Sequence, residues 1–110
     1  MIRVLVESPY AGDVETNLRY LRACMADCFK RGEAPFASHG LYTQPGVLDD
    51  DKPDERKLGI EAGFDWGKVA AKIVVYTDLG FSSGMMLGIE KASRRHKPIE
   101  FRQLGGEWAE

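Results

Sequence analysis

The sequence has little of what marks a specialised protein. Its two cysteines, Cys24 and Cys28, are too few for the disulfide framework of a small secreted domain. The two histidines, His39 and His96, lie far apart and lack the paired spacing of zinc ligands, so no metal site is expected. Fifteen basic residues against seventeen acidic ones leave a net charge of −2, without the basic excess that a DNA- or RNA-polymer binder needs. No apolar run approaches the ~20 residues that cross a bilayer, so no membrane partner is expected. Met1–Val6 is too short for a signal peptide, and a cytoplasmic protein is expected. No Gly-x-Gly-x-x-Gly follows the first apolar run, and no Gly-Lys-Ser loop occurs, so the usual marks of dinucleotide cofactors and triphosphate hydrolysis are missing. A nucleophile elbow for Ser-His-Asp chemistry is missing too, and no cofactor is called for.

What remains is an ordinary globular mixture, 44% apolar and 29% charged over 110 residues, which suits one domain. Ile2–Val6 is a short β-branched run of the kind that forms a strand buried on both faces, and Pro9 and Gly12 stop it. Asp13 reads as a helix N-cap. Val14, Leu18, Leu21, Met25 and Cys28 then follow at helical spacing, and Gly32 supplies the stop. Ala34–Ala37 predicts a short edge strand, because Pro35 cannot donate to a ladder. From Ser38 to Lys52 there is no periodicity, only Pro45-Gly46 and the acidic run Asp49–Asp51, so a long functional loop is predicted. Pro53 suits the first position of another helix, with Asp54 and Glu55 in its positive first turn. Gly59, Gly63 and Gly67 on one stripe of that helix predict a close backbone approach to the sheet, another helix or a second subunit.

Lys72–Tyr76 is the clearest strand, a helix is predicted from Ser83 to Arg95, and Pro98–Phe101 closes the pattern. Alternating strands and helices mean βαβ units. The expected fold is therefore α/β: a three-layer, flavodoxin- or Rossmann-like domain over residues 1–104. Its small, mostly parallel sheet is expected in the order 2-1-3-4, with residues 105–110 a loose tail.

In such a sheet a ligand settles beyond the carboxyl ends of the strands, where the strand order reverses. For the order 2-1-3-4 that point lies between the first and third strands. Glu7, Ser8, Pro9, Tyr10 and Gly12 are expected on one side of it. Thr77, Asp78, Ser82, Ser83 and Gly84 are expected on the other. The Ser82-Ser83-Gly84 turn reads either as a cradle for phosphate or carboxylate or as a plain helix cap. Tyr10 can stack on a base, and Asp78 can hold a sugar hydroxyl. Glu61 and Asp65, four apart on one helix, can face a common ligand.

Ser8-Pro9-Tyr10, Tyr76-Thr77-Asp78 and Gly84-Met85-Met86-Leu87-Gly88 resemble the corresponding segments of nucleoside 2-deoxyribosyltransferases and the related N-glycosidic nucleotide hydrolases. Nearly the whole chain is also similar to short bacterial and phage proteins with the Ser8-Pro9-Tyr10-Ala11-Gly12-Asp13 opening. Residues 33–39 and 41–44 belong to that shared pattern.

The transferase resemblance implies a flavodoxin-like sheet, a nucleoside or nucleotide as small-molecule partner, and homo-oligomers in which a neighbour helps complete the site. The transferases use a glutamate nucleophile within Gly-x-Glu-x-Gly, and Met86 stands at that place here. A thioether has no ionised oxygen to form a glycosyl ester, so the ordinary mechanism is expected to be absent. Glu90 lies one turn further along, roughly 6 Å of helical rise away. The expectation is a protein that binds a nucleoside or nucleotide derivative. The alternative is an N-glycosidic hydrolase or transferase with a relocated catalytic carboxylate, for which Glu7, Asp78 and Glu90 are the candidates.

Overall fold

The computed structural model describes residues 1–109. Four strands, β1 (Ile2–Glu7), β2 (Glu33–Phe36), β3 (Lys72–Tyr76) and β4 (Ile99–Arg102), form one sheet. The sheet is wholly parallel and its order is β2-β1-β3-β4, so the expected three-layer α/β fold is observed. Helix α1 (Val14–Lys30) covers one face, while α3 (Pro53–Gly67) and α4 (Ser83–Arg94) cover the other.

The two faces follow from strand parity. Val4, Val6, Val74 and Tyr76 pack with Tyr20, Leu21, Cys24 and Cys28 of α1. Leu5, Ile73 and Val75 pack with Met85 and Ala92 of α4. Asp13 caps α1 by accepting from the Thr16 backbone N–H at 3.3 Å, and Pro53 opens α3. The buried stripe of α1 is Asn17, Tyr20, Leu21, Cys24 and Cys28, rotated from the predicted one, and Leu18 and Met25 lie at its border. Two polar anchors set that rotation. Asn17 donates to the Tyr10 and Ala11 carbonyls at 2.9 and 3.2 Å, and the Tyr20 hydroxyl donates to Asp78 at 2.6 Å.

Two other expectations change. The segment predicted as loop begins with a single helical turn, α2 (Ser38–Leu41). It packs against α3 at Gly63, where an added Cβ would lie 2.5 Å from Ser38 Oγ and 2.8 Å from its Cβ. A Cβ at Gly59 would lie 3.3 Å from Leu48 and one at Gly67 would be in ordinary contact with Leu5 and Arg95 at 3.5 Å, so the close backbone approach predicted for the glycine stripe is made within the chain, at Gly63. The tail expected to be loose forms a 3-10 turn over Gly106–Ala109, with Trp108 edge-on to Tyr20 at 4.8 Å between ring centroids. Glu110 lies outside the described residues.

Candidate functional site

The ends of β1 and β3 diverge where the strand order reverses, and a crevice of about 90 Å³ opens there between α2, α3 and α4. Glu7, Ser8 and Tyr10 reach it from β1 and the loop after it, His39 from α2, Arg56 from α3, and Ser82, Ser83 and Gly84 from the start of α4. Beyond Tyr10 it continues into a shallow groove of about 690 Å³ walled by Gly12 and the 43–51 loop.

Glu7 ends β1 on the Leu5 face, and parity turns its carboxyl toward α3 and α4. The carboxyl lodges against the backbone of α4 at Gly88, where an added Cβ would lie 2.5 Å from Glu7 Cδ. Burial away from water pushes the Glu7 pKa up to about 8, and among the described residues no cation or hydrogen-bond donor offsets that. The group is therefore largely a neutral acid at pH 7. Next to it in sequence, Ser8 Oγ lies 2.7 Å from His39 Nε2. Desolvation draws the His39 pKa down to about 4, so this imidazole is neutral and one hydroxyl–imidazole hydrogen bond joins the pair.

Across the crevice, Arg56 places Nη1 3.3 Å from Asp50 Oδ2 and Nη2 3.4 Å from Ser83 Oγ. Its guanidinium thus stands beside the open N-terminus of α4, where Ser82 Oγ already accepts from the Met85 backbone N–H at 3.2 Å. The two readings of the Ser-Ser-Gly turn are thereby divided between its residues. Ser82 is the cap, while Ser83 is next to a guanidinium. A fixed cation, a hydroxyl and a positive helix end on one wall suit an anionic group. The opposite wall offers a neutral acid and a neutral imidazole.

Several predicted residues lie elsewhere. Asp78 follows Val74 and Tyr76 in parity and turns to the α1 face. There it accepts from Tyr20 Oη at 2.6 Å, from Leu104 N at 2.9 and 3.0 Å, and from Gly105 N at 3.0 Å. Those bonds hold the segment after β4, and they lower the Asp78 pKa against the opposing effect of burial. Glu90 is paired with Arg94 at the surface, and Asp65 is paired with Lys68 at 3.1 Å. Pro9 is buried and lines neither hollow, whereas Gly12 lines the outer groove. Met86, which the transferase resemblance would set against the glutamate nucleophile, is half exposed and outside the crevice.

Sequence reasoning passed over His39, Asp50 and Arg56. His39 was hidden because α2 is one turn long and shows no periodicity. Arg56 follows the acidic first turn of α3 and looks like part of a solvated face. The available signals were the functional loop predicted over Ser38 to Lys52, the shared pattern over residues 33–39, and Gly63, whose missing side chain admits α2 to its place.

These features define a three-layer parallel α/β domain with a polar crevice at its strand-order switch, the usual ligand position of that architecture. The chain belongs to the family described as a domain of unknown function, DUF7768, whose model matches residues 2–102. No curated protein matches the chain.

Proposed function

We propose that the crevice binds a nucleoside or nucleotide derivative. The observation that carries this reading is the meeting of Tyr10 with Arg56, Ser83 and Gly84 around one hollow. An aromatic ring at the rim suits a base, and the guanidinium beside the α4 N-terminus suits a phosphate or an electron-rich sugar. The groove beyond Tyr10 leaves room for more than the innermost group. Calorimetry and thermal-shift measurements against nucleosides, nucleotides and cyclic nucleotides test it. The expected result is a melting temperature raised by at least one family of these compounds, with the rise lost in Arg56→Ala and Ser83→Ala. A folded protein that responds to none of them overturns it. The homo-oligomer implied by the transferase resemblance is a separate proposal, tested by sedimentation of the purified chain.

One observation favours a second reading, cleavage of an N-glycosidic bond. Of the three candidate carboxylates, Glu7 alone faces the crevice, and it carries the proton that a departing base needs. Water would attack the anomeric carbon as the C–N bond breaks and the base nitrogen takes the Glu7 proton, and the proton that the attacking water sheds would return through solvent to the Glu7 carboxylate. Release of free base that stops in Glu7→Gln supports this reading, and release that continues in that variant removes it.

A further inference from the structure

Glu7 is an expensive residue to keep. Glu7 is half-buried in the crevice wall with no cation or donor against its carboxyl among the described residues, and the desolvation there opposes its charged form at neutral pH. Yet it is accommodated with care. β1 turns it toward the crevice, and α4 leaves out a side chain at Gly88, where even one methyl group would overlap it. Gly88 is also a mid-helix glycine, a choice that costs about 1 kcal/mol relative to alanine. Two unfavourable choices meeting at one contact point to a use outside the fold.

We propose that Glu7 is the specificity-determining hydrogen-bond donor of the crevice, giving its acid proton to an acceptor atom of the ligand, and that Gly88 is glycine to admit it. This rests on the nucleoside or nucleotide reading and narrows it: the atom that meets Glu7 is a lone-pair acceptor, a carbonyl oxygen or ring nitrogen of the base, and not an amino group. The surrounding charges are consistent with that. His39 of α2 is neutral and bonded to Ser8, and Arg56 of α3 is engaged with Asp50 of the 43–51 loop. Lys91 of α4 and Arg95 just after it line a separate hollow past Gly88, where Lys91 lies over the Phe64 ring at 5.5 Å. Tyr10 stands at the rim. None of these carries a charge that pairs with Glu7, so its own protonation governs what it offers.

The test is calorimetric binding of deoxycytidine and deoxyadenosine 5′-monophosphates between about pH 7 and about pH 9, where the phosphate is already a dianion. Wild-type affinity is expected to fall about tenfold across that interval, following the loss of the proton from a group with a midpoint near 8. Glu7→Gln is neutral at every pH and donates through its amide. It keeps the affinity at pH 7 within a few fold and shows no fall. Gly88→Ala, which displaces the carboxyl, binds weakly at both ends of the range. Circular dichroism confirms that each variant is folded, and carbon-13 NMR of the Glu7 carboxyl in the free protein gives a reading that needs no ligand.

A carboxyl midpoint below about 6, affinity that rises with pH, or binding indifferent to both variants overturns the proposal and leaves the nucleotide reading standing. If neither nucleotide binds while the carboxyl midpoint is high, the wider panel of nucleosides, nucleotides and cyclic nucleotides is measured in the same way, and no response from any of them overturns the nucleotide reading and this narrower one with it.

Discussion

Glu7 and Gly88 show how much a single contact decides. The folded-state pKa of Glu7, about 8, lies above its ordinary value of 4.5, so folding favours the protonated form. Its contribution to stability is whole below about pH 4.5, declines as the pH rises toward 8, and is gone above that. The decline has an upper limit on the order of 5 kcal/mol, since each tenfold change in proton affinity is worth about 1.4 kcal/mol. Thermal melts across this interval are therefore expected to show a slope in the wild type that Glu7→Gln lacks, with the variant the more stable protein at pH 9. Gly88→Ala gains about 1 kcal/mol of helix propensity and drives a methyl into the carboxyl, which ends a flexible side chain and can swing into the crevice, so a net change within about 1 kcal/mol is expected in denaturant titrations.

At the scale of elements, the crevice depends on α2 and the α1 face depends on the segment after β4, the two places where the sequence reads as irregular. α2 reaches its position because Gly63 lets Ser38 approach the α3 backbone. Gly63→Ala is expected to push α2 outward and separate His39 from Ser8, so the His39 pKa rises from about 4 toward its ordinary 6.5. Proton NMR of the imidazole measures this, and an unchanged titration would mean that α2 is held by other contacts. Asp78 has the opposite place from the one expected of it. It fastens Leu104 and Gly105 and bonds the Tyr20 hydroxyl, so Asp78→Ala leaves buried donors unpaired at a cost of about 1–3 kcal/mol. Trp108 fluorescence is expected to shift to the red as its packing on Tyr20 loosens, while the crevice on the other face of the sheet is left as it is. The parity Val74, Tyr76, Asp78 was legible in the sequence and points to the α1 face. Proximity to a strand end misled because a strand delivers residues to both faces.

Across the whole molecule, one ionic cluster ties the edge strands together under α1. Arg102 of β4 holds Glu33 of β2 through two hydrogen bonds of 2.8 and 2.7 Å, and Lys72 of β3 adds a contact of 3.1 Å to Glu33. Tyr76 Oη accepts from Arg102 at 3.1 Å and donates to Asp27 at 2.8 Å. The Arg102 hydrogen bonds draw the Glu33 pKa down to about 2. Because that value lies below the ordinary 4.5, the pair's contribution is present above about pH 4.5 and disappears as the pH falls through 2. Glu33→Gln removes one of the two carboxylates on the buried Arg102 guanidinium, Glu100 remaining on its Nε, and is expected to cost about 1–3 kcal/mol at pH 7 in urea titrations. Its acid-unfolding midpoint is expected to lie higher than that of the wild type.

Alternation of short β-branched runs with capped amphipathic helices was enough to anticipate the parallel three-layer sheet, its strand order and the end at which the crevice opens. Those features depend on local periodicity and on the handedness of crossovers, which neighbouring residues carry. The sequence also placed Glu7, Tyr10 and the Ser82–Gly84 turn at that end. Only the tertiary structure decided that His39 and Arg56 join them, that Asp78 serves the other face, and that the glycine stripe makes its close approach within the chain. Such contacts are made between segments distant along the chain, at distances set by which side chain is missing opposite which. No local pattern records that pairing.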